Sequence, residues 1–191
     1  APAFADAYGI ALYGTYYVDR GNVTVNGNHV TYYEGGEKKE ADDDDIIITN
    51  EDKTKSTTNN ITINADKDKT ANVTLDGVNI DVGGTNKAAL EVTGNGTTTI
   101  ELNGKNTLTS GGTHAGLEKN DADGTGSLII KDDKDSNGKD KTEAQKKEET
   151  ENGTGDSLTA NGGFEAAGIG SGYGKDTSYI EIAGGKVEAV G

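Results

Sequence analysis

Asn72-Val-Thr-Leu-Asp-Gly-Val-Asn-Ile80 and, 27 residues on, Thr99-Ile-Glu-Leu-Asn-Gly-Lys-Asn-Thr107 share one grammar. Each has an apolar pair two residues apart, a turn dipeptide ending in Gly, and a second short β-prone run. A spacing of two puts both apolar side chains on one face of a strand. Working outward, the same pair recurs at Ile46/Ile48, Ile61/Ile63, Ala88/Leu90, Ala115/Leu117, Leu128/Ile130, Ala167/Ile169 and Ile180/Ile182. Ile48, Ile63, Leu75, Leu90, Leu102, Leu117 and Ile130 are separated by 15, 12, 15, 12, 15 and 13 residues. A two-beat repeat of about 27 residues marks a solenoid, in which each turn stacks on the last. A third strand per turn falls at 78–80, 107–108, 157–158 and 186–187. Gly-rich steps such as Gly83-Gly84, Gly111-Gly112 and Gly162-Gly163 supply corners. Three short parallel strands per coil make a parallel β-helix, and the handedness of parallel crossovers makes it right-handed.

Composition alone argues the other way. Val, Ile, Leu and Phe total 33 of 191 residues and the formal charge is −15, a balance typical of disordered chains. The register overrules it, because a narrow solenoid needs only about two inward side chains per strand. One domain accounts for the length. There is no cysteine, so disulfide and thiolate chemistry are excluded. The acidic balance and single arginine, Arg20, argue against a nucleic-acid partner. No apolar run reaches the length of a membrane span. The small residues of Ala1-Pro2-Ala3-Phe4-Ala5 resemble the end of a processed secretory signal. With the acidic, Thr/Asn/Gly-rich composition they point to a secreted or cell-surface protein.

The chain divides into three regions. Residues 1–45 form an irregular cap and first coil, with Ala7 to Val18 capping the open end and Asn22–Gly27 matching Asn72–Gly77 as an earlier coil. Residues 46–191 form the β-helix, whose final strand edge carries no cap. A charged insertion at about 132–156 leaves the solenoid and returns without disturbing its beat. It reads as a solvated excursion, dispensable for folding. Leu75, Leu102, Ile130 and Ile182 are expected in one inward column, and Leu90, Leu117 and Ile169 in a second.

The segments NVTLDGVNI, GKNTLTSGG, AAGIGSG and YIEIAGGKVEAVG resemble the carbohydrate-binding β-helix domains of clostridial and other Gram-positive surface proteins. The resemblance covers about residues 60–191. It implies a cell-surface protein, with polysaccharide binding and bound calcium in some relatives. Because the matching positions are mostly core and turn, it names no particular ligand.

Two acidic loops have calcium-like chemistry, since calcium takes six to eight oxygens. One is the corner Asp121-Ala122-Asp123-Gly124, in a column with Asp68, Asn95 and Asp176, where Asx-turns are the simpler reading. The other is Asp133-Lys134-Asp135-Ser136-Asn137-Gly138, the first half of an EF-hand pattern with Ala144 where the bidentate Glu belongs. Catalysis is not expected: no paired carboxylates stand out, and Lys87, Lys105 and Lys119 share no acidic neighbourhood. A polysaccharide lyase-like enzyme is kept as a lesser alternative. Trp is absent, leaving Tyr32, Tyr33, His114 and Tyr173 as candidate ligand contacts. The expected function is adhesion or binding of a polysaccharide or host surface glycan, without catalysis and stabilised by calcium. The alternative from another class is a structural subunit that assembles end to end through uncapped β-edges.

Overall fold

A computed structural model describes residues 14–191. The chain winds as a parallel β-solenoid of about six turns with about 29 residues per turn. The first turn holds β1 (Thr15–Tyr17) and β2 (Val23–Asn26), followed by the hairpin strands β3 (His29–Glu34) and β4 (Glu37–Asp42). The second holds β5 (Ile46–Thr49) and β6 (Ile61–Asn64). Full three-strand turns come next: β7 (Thr70–Asp76), β8 (Asn79–Asp81) and β9 (Leu90–Thr93), then β10 (Thr97–Asn103), β11 (Lys105–Thr109) and β12 (Leu117–Glu118). The turn after these is β13 (Ser127–Asp132), β14 (Ser157–Asn161) and β15 (Ile169–Gly170), with helix α1 (Glu143–Glu151) between its first two strands. The last is β16 (Ile180–Ile182) and β17 (Lys186–Val190).

Stacking produces three sheets. The first runs β1-β5-β7-β10-β13-β16, the second β15-β12-β9-β6-β2-β3-β4, and the third β17-β14-β11-β8. Every pairing of these strands is parallel except β2/β3 and β3/β4. Inward side chains stack like on like: Ile46, Val73, Ile100 and Ile130 in the first sheet, Ile61, Leu90 and Leu117 in the second. All are essentially inaccessible to solvent. Burial of this kind contributes about 1.5–3 kcal/mol per large side chain, which explains how so few apolar residues suffice. Where the coil turns from the first sheet to the third, buried amides join adjacent turns. Asn50 donates to the Asn79 carbonyl and accepts from its amide, each at 2.9 Å. Asn106 accepts from Val78 N at 2.8 Å. These bonds satisfy the polar groups that the corner buries, as burial requires.

One register expectation is corrected. Ile130 stands opposite Ile100, not Leu102, and Leu102 faces Asp132. The cause is a three-residue 3-10 turn at Asp121–Asp123, which lengthens that corner relative to the one before it. The second column, Leu90–Leu117–Ile169, forms as expected. Ile182 pairs with Ile130 but is 53% exposed, β16 being an edge strand of its sheet among the described residues. The earlier coil expected from Asn22–Gly27 is present, with Val23 and Val25 stacking on Ile61 and Ile63 in the second sheet. Periodicity reports that a residue faces inward, but not which sheet it faces inward from.

The described part of the N-terminal region is more regular than its sequence suggests. Residues 7–13 of the expected cap lie outside the described residues, but Thr15 to Tyr17 form a strand of the first sheet. Tyr16 is fully buried, donates its hydroxyl to Asp43 Oδ2 at 2.8 Å, and meets the Tyr32 ring edge-on at 5.0 Å. The β3/β4 hairpin therefore covers this end of the core, and the charged strand β4 forms its outer edge.

Candidate functional site

The corner between the third and second sheets, residues 110–118, carries the densest polar chemistry beside exposed aromatic rings. His114 Nδ1 lies 2.8 Å from Glu118 Oε2, and Ala115 N donates to Glu118 Oε1 at 3.2 Å. Glu118 points out of the barrel yet is 1% exposed, because the segment after β15 folds back across it. Gly172 is the contact that permits this. A Cβ there would come within 2.6 Å of Glu118 Oε1 and 2.8 Å of the Thr113 carbonyl. Asn120 accepts from Gly172 N at 3.0 Å and fixes the fold-back. Glu91, in register with Glu118 one turn earlier, has its carboxyl raised above the ordinary range by burial, with Asp123 and Glu118 adding repulsion.

Two rings stand on this corner. Phe164 N donates to the Gly112 carbonyl at 2.5 Å and Tyr173 N to the Thr113 carbonyl at 2.9 Å. Consecutive carbonyls thus hold both residues beside His114, with Phe164 71% and Tyr173 58% exposed. Of the four candidate ligand contacts, the structure brings together His114 and Tyr173. Tyr32 is corrected: it is buried in the core against Tyr16. Tyr33 lies against Gly21 at the other end of the molecule. Phe164 was not anticipated, although its place after the Gly162-Gly163 corner was a usable signal.

The acidic loops are committed to protein partners. Asp121 accepts from the Ser178 hydroxyl at 2.8 Å and sits 3.7 Å from the buried Lys119 ammonium. Asp123 accepts from Asn120 Nδ2. Asn95 of the same column accepts from Thr125 N, and Asp68 adopts φ +63°, so these residues build the corner itself. Gly124, at φ +128°, lies so close to Gly94 that a side chain would strike its backbone. In the insertion, Asp135 accepts from the amides of Asn137 and Lys139, which hold its carboxyl below the usual range. Asp133 faces Lys141. Among the described residues no group of three or more His, Cys, Asp or Glu is arranged to hold a metal.

Lys141 is the residue that sequence reasoning missed. Its ammonium contacts Asp133 Oδ1, Glu149 Oε1 at 2.8 Å and Asp156 Oδ2 at 2.6 Å. Its side chain is 7% exposed and that of Asp156 3%. Asp156 also accepts from Gly104 N at 2.8 Å, tying the cluster to the solenoid. Burial disfavours the Lys141 ammonium, but bonds to Asp133, Asp156 and Glu149 more than offset this and raise its pKa. Burial raises Asp133 to about 6; Lys141 opposes the rise and neighbouring Asp156 adds to it. The insertion is therefore docked, which corrects its reading as a free appendage. Helix α1 itself is solvated, with no buried residue, and starts at a Thr142/Gln145 capping box.

Arg20, the lone arginine, is held by Glu51 through two bonds of 3.0 Å and stacks on the Tyr17 ring at 4.2 Å. Lys119 is buried against the Ser178 carbonyl. No helix among the described residues is long and apolar enough to cross a membrane. Comparisons with family models, curated proteins and solved structures found no match.

Proposed function

We propose that this chain is a secreted or cell-surface β-solenoid module that binds carbohydrate at the His114 corner and does not catalyse a reaction. The observation that carries the reading is the pair of exposed rings, Phe164 and Tyr173, held on consecutive carbonyls beside the His114–Glu118 pair. Aromatic faces cover the C–H faces of pyranose rings, while His114 and Glu91 supply polar contacts for sugar hydroxyls. Glu118 is enclosed and fully bonded, which suits positioning His114 better than attacking a substrate. A glycan array probed with the wild-type protein and with F164A/Y173A tests the proposal. Binding should fall at least tenfold in the variant with the melting temperature unchanged. Retained binding would refute it.

A second reading, end-to-end assembly, is favoured by Ile182 and Val190, which are 53% and 46% exposed beside strands that are paired on one side only among the described residues. Such edges accept further strands. Sedimentation across a concentration series separates the readings, because end-to-end assembly requires mass to grow with concentration.

A further inference from the structure

We propose that the cavity between α1 and the outer face of the third sheet is a separate binding site for an oligosaccharide carrying uronate carboxylates. The cavity has a volume of about 630 Å³, within the range of ligand sites. Its floor is a rung of three in-register residues, Lys105, Ser157 and Lys186, on β11, β14 and β17. Thr159 and Glu188 form the next rung position along the same strands. The wall is α1, held in place by the Lys141 cluster.

The charge at this site is selective. Asp156 and Glu149 share the single Lys141 ammonium with Asp133, and Asp132 lies 3.8 Å from Lys146, which also pairs with Glu143. Lys105 and Lys186 have no ion-pair partner among the described residues, in a chain whose net charge is −15. The two floor lysines are thus the cations of this cavity left without an acidic partner, while its carboxylates other than Glu188 lie against Lys141 and Lys146. The two lysines stand two strand spacings apart, about 9–10 Å between Cα atoms. That separation suits two carboxylates along one chain better than a single small anion. Glu188 argues against a densely charged polyanion, since a like charge in the cavity would repel it. It is instead an acceptor for hydroxyl groups, as are Ser157 and Thr159. A ligand with spaced carboxylates and many hydroxyls matches all of these groups, and a uronate oligosaccharide has that pattern.

The site is distinct from the His114 corner, so the two proposals can fail separately. Calorimetry with hexagalacturonate as probe tests it, with neutral xylohexaose and inorganic phosphate as comparisons. Hexagalacturonate should bind, xylohexaose and phosphate should bind at least tenfold more weakly, and 0.5 M salt should weaken the interaction. K105Q/K186Q should lose at least tenfold in affinity, whereas K67Q/K139Q removes the same charge elsewhere and should bind like wild type. F164A/Y173A should retain hexagalacturonate binding, which separates this site from the corner. All variants alter exposed side chains, and circular dichroism confirms that they fold. Absence of hexagalacturonate binding, equal binding of xylohexaose or phosphate, or equal loss in K67Q/K139Q would overturn the proposal.

Discussion

Replacing Lys141 with Gln tests the docking of the insertion most directly. The substitution leaves Asp133, Glu149 and Asp156 without their shared cation, and Asp156 is nearly inaccessible. Removing one partner of a buried ion pair costs about 3–5 kcal/mol. Glu149 and Asp133 are 31% and 19% exposed and can recruit water, so the lower end, about 3 kcal/mol, is expected. The loss should stay local. Helix α1 has only nine residues and buries none of them, and a helix that short is marginal once undocked. Amide exchange in α1 should accelerate by roughly a hundredfold, while amides of β7 and β10 keep their protection. Millimolar calcium, but not magnesium, should restore part of the protection in the variant and none in the wild type, because only the variant has vacated a cation position among three carboxylates. Equal α1 exchange in wild type and variant would refute the view of Lys141 as the latch. Loss of protection throughout the solenoid would refute its local character.

Leu102→Ala should cost about 2–5 kcal/mol in urea unfolding, since the side chain is fully buried between adjacent turns. Docking of the insertion should also depend on pH. Asp133 is raised from 3.8 to about 6, so its contribution is fully present below pH 3.8 and lost as pH rises through about 6, up to roughly 2–3 kcal/mol. D133N holds that position neutral, and α1 exchange corrected for intrinsic rates should then vary little between pH 4 and 7. Gly172→Ala should cost about 1–3 kcal/mol, because its methyl meets the Thr113 carbonyl and Glu118. Heat denaturation measures the loss, and an unchanged melting temperature would show that the segment over Glu118 is loosely held.

The parts of this molecule that repeat were legible because stacking forces them to repeat. A residue over the core must be apolar and must recur once per turn, so Val73, Ile100 and Ile130 announce themselves. What the repeat conceals is its own drift. One 3-10 turn at Asp121–Asp123 moved Ile130 opposite Ile100 and left Asp132 facing Leu102, although the apolar spacing looked almost undisturbed. The acids of that turn were visible as a column, but a one-dimensional pattern cannot tell an oxygen offered to a ligand from one spent on Ser178 or Lys119.

The candidate sites were less legible for a related reason. They lie on the outer face, where packing imposes no period, and their residues meet through segments that leave the coil. Tyr173 reaches Thr113 because the chain doubles back over Glu118, and Lys141 reaches Asp156 across the whole of α1. Departures from the beat are therefore where function is best sought in this fold. A residue that breaks the repeat is free of the inward stacking constraint, and an insertion that is docked costs the ordering of its chain, which its contacts must offset. The segment after β15 and the excursion between β13 and β14 border the two places where exposed rings and unpaired lysines gather. The solenoid supplies the floor at both, and the irregular segments supply the walls.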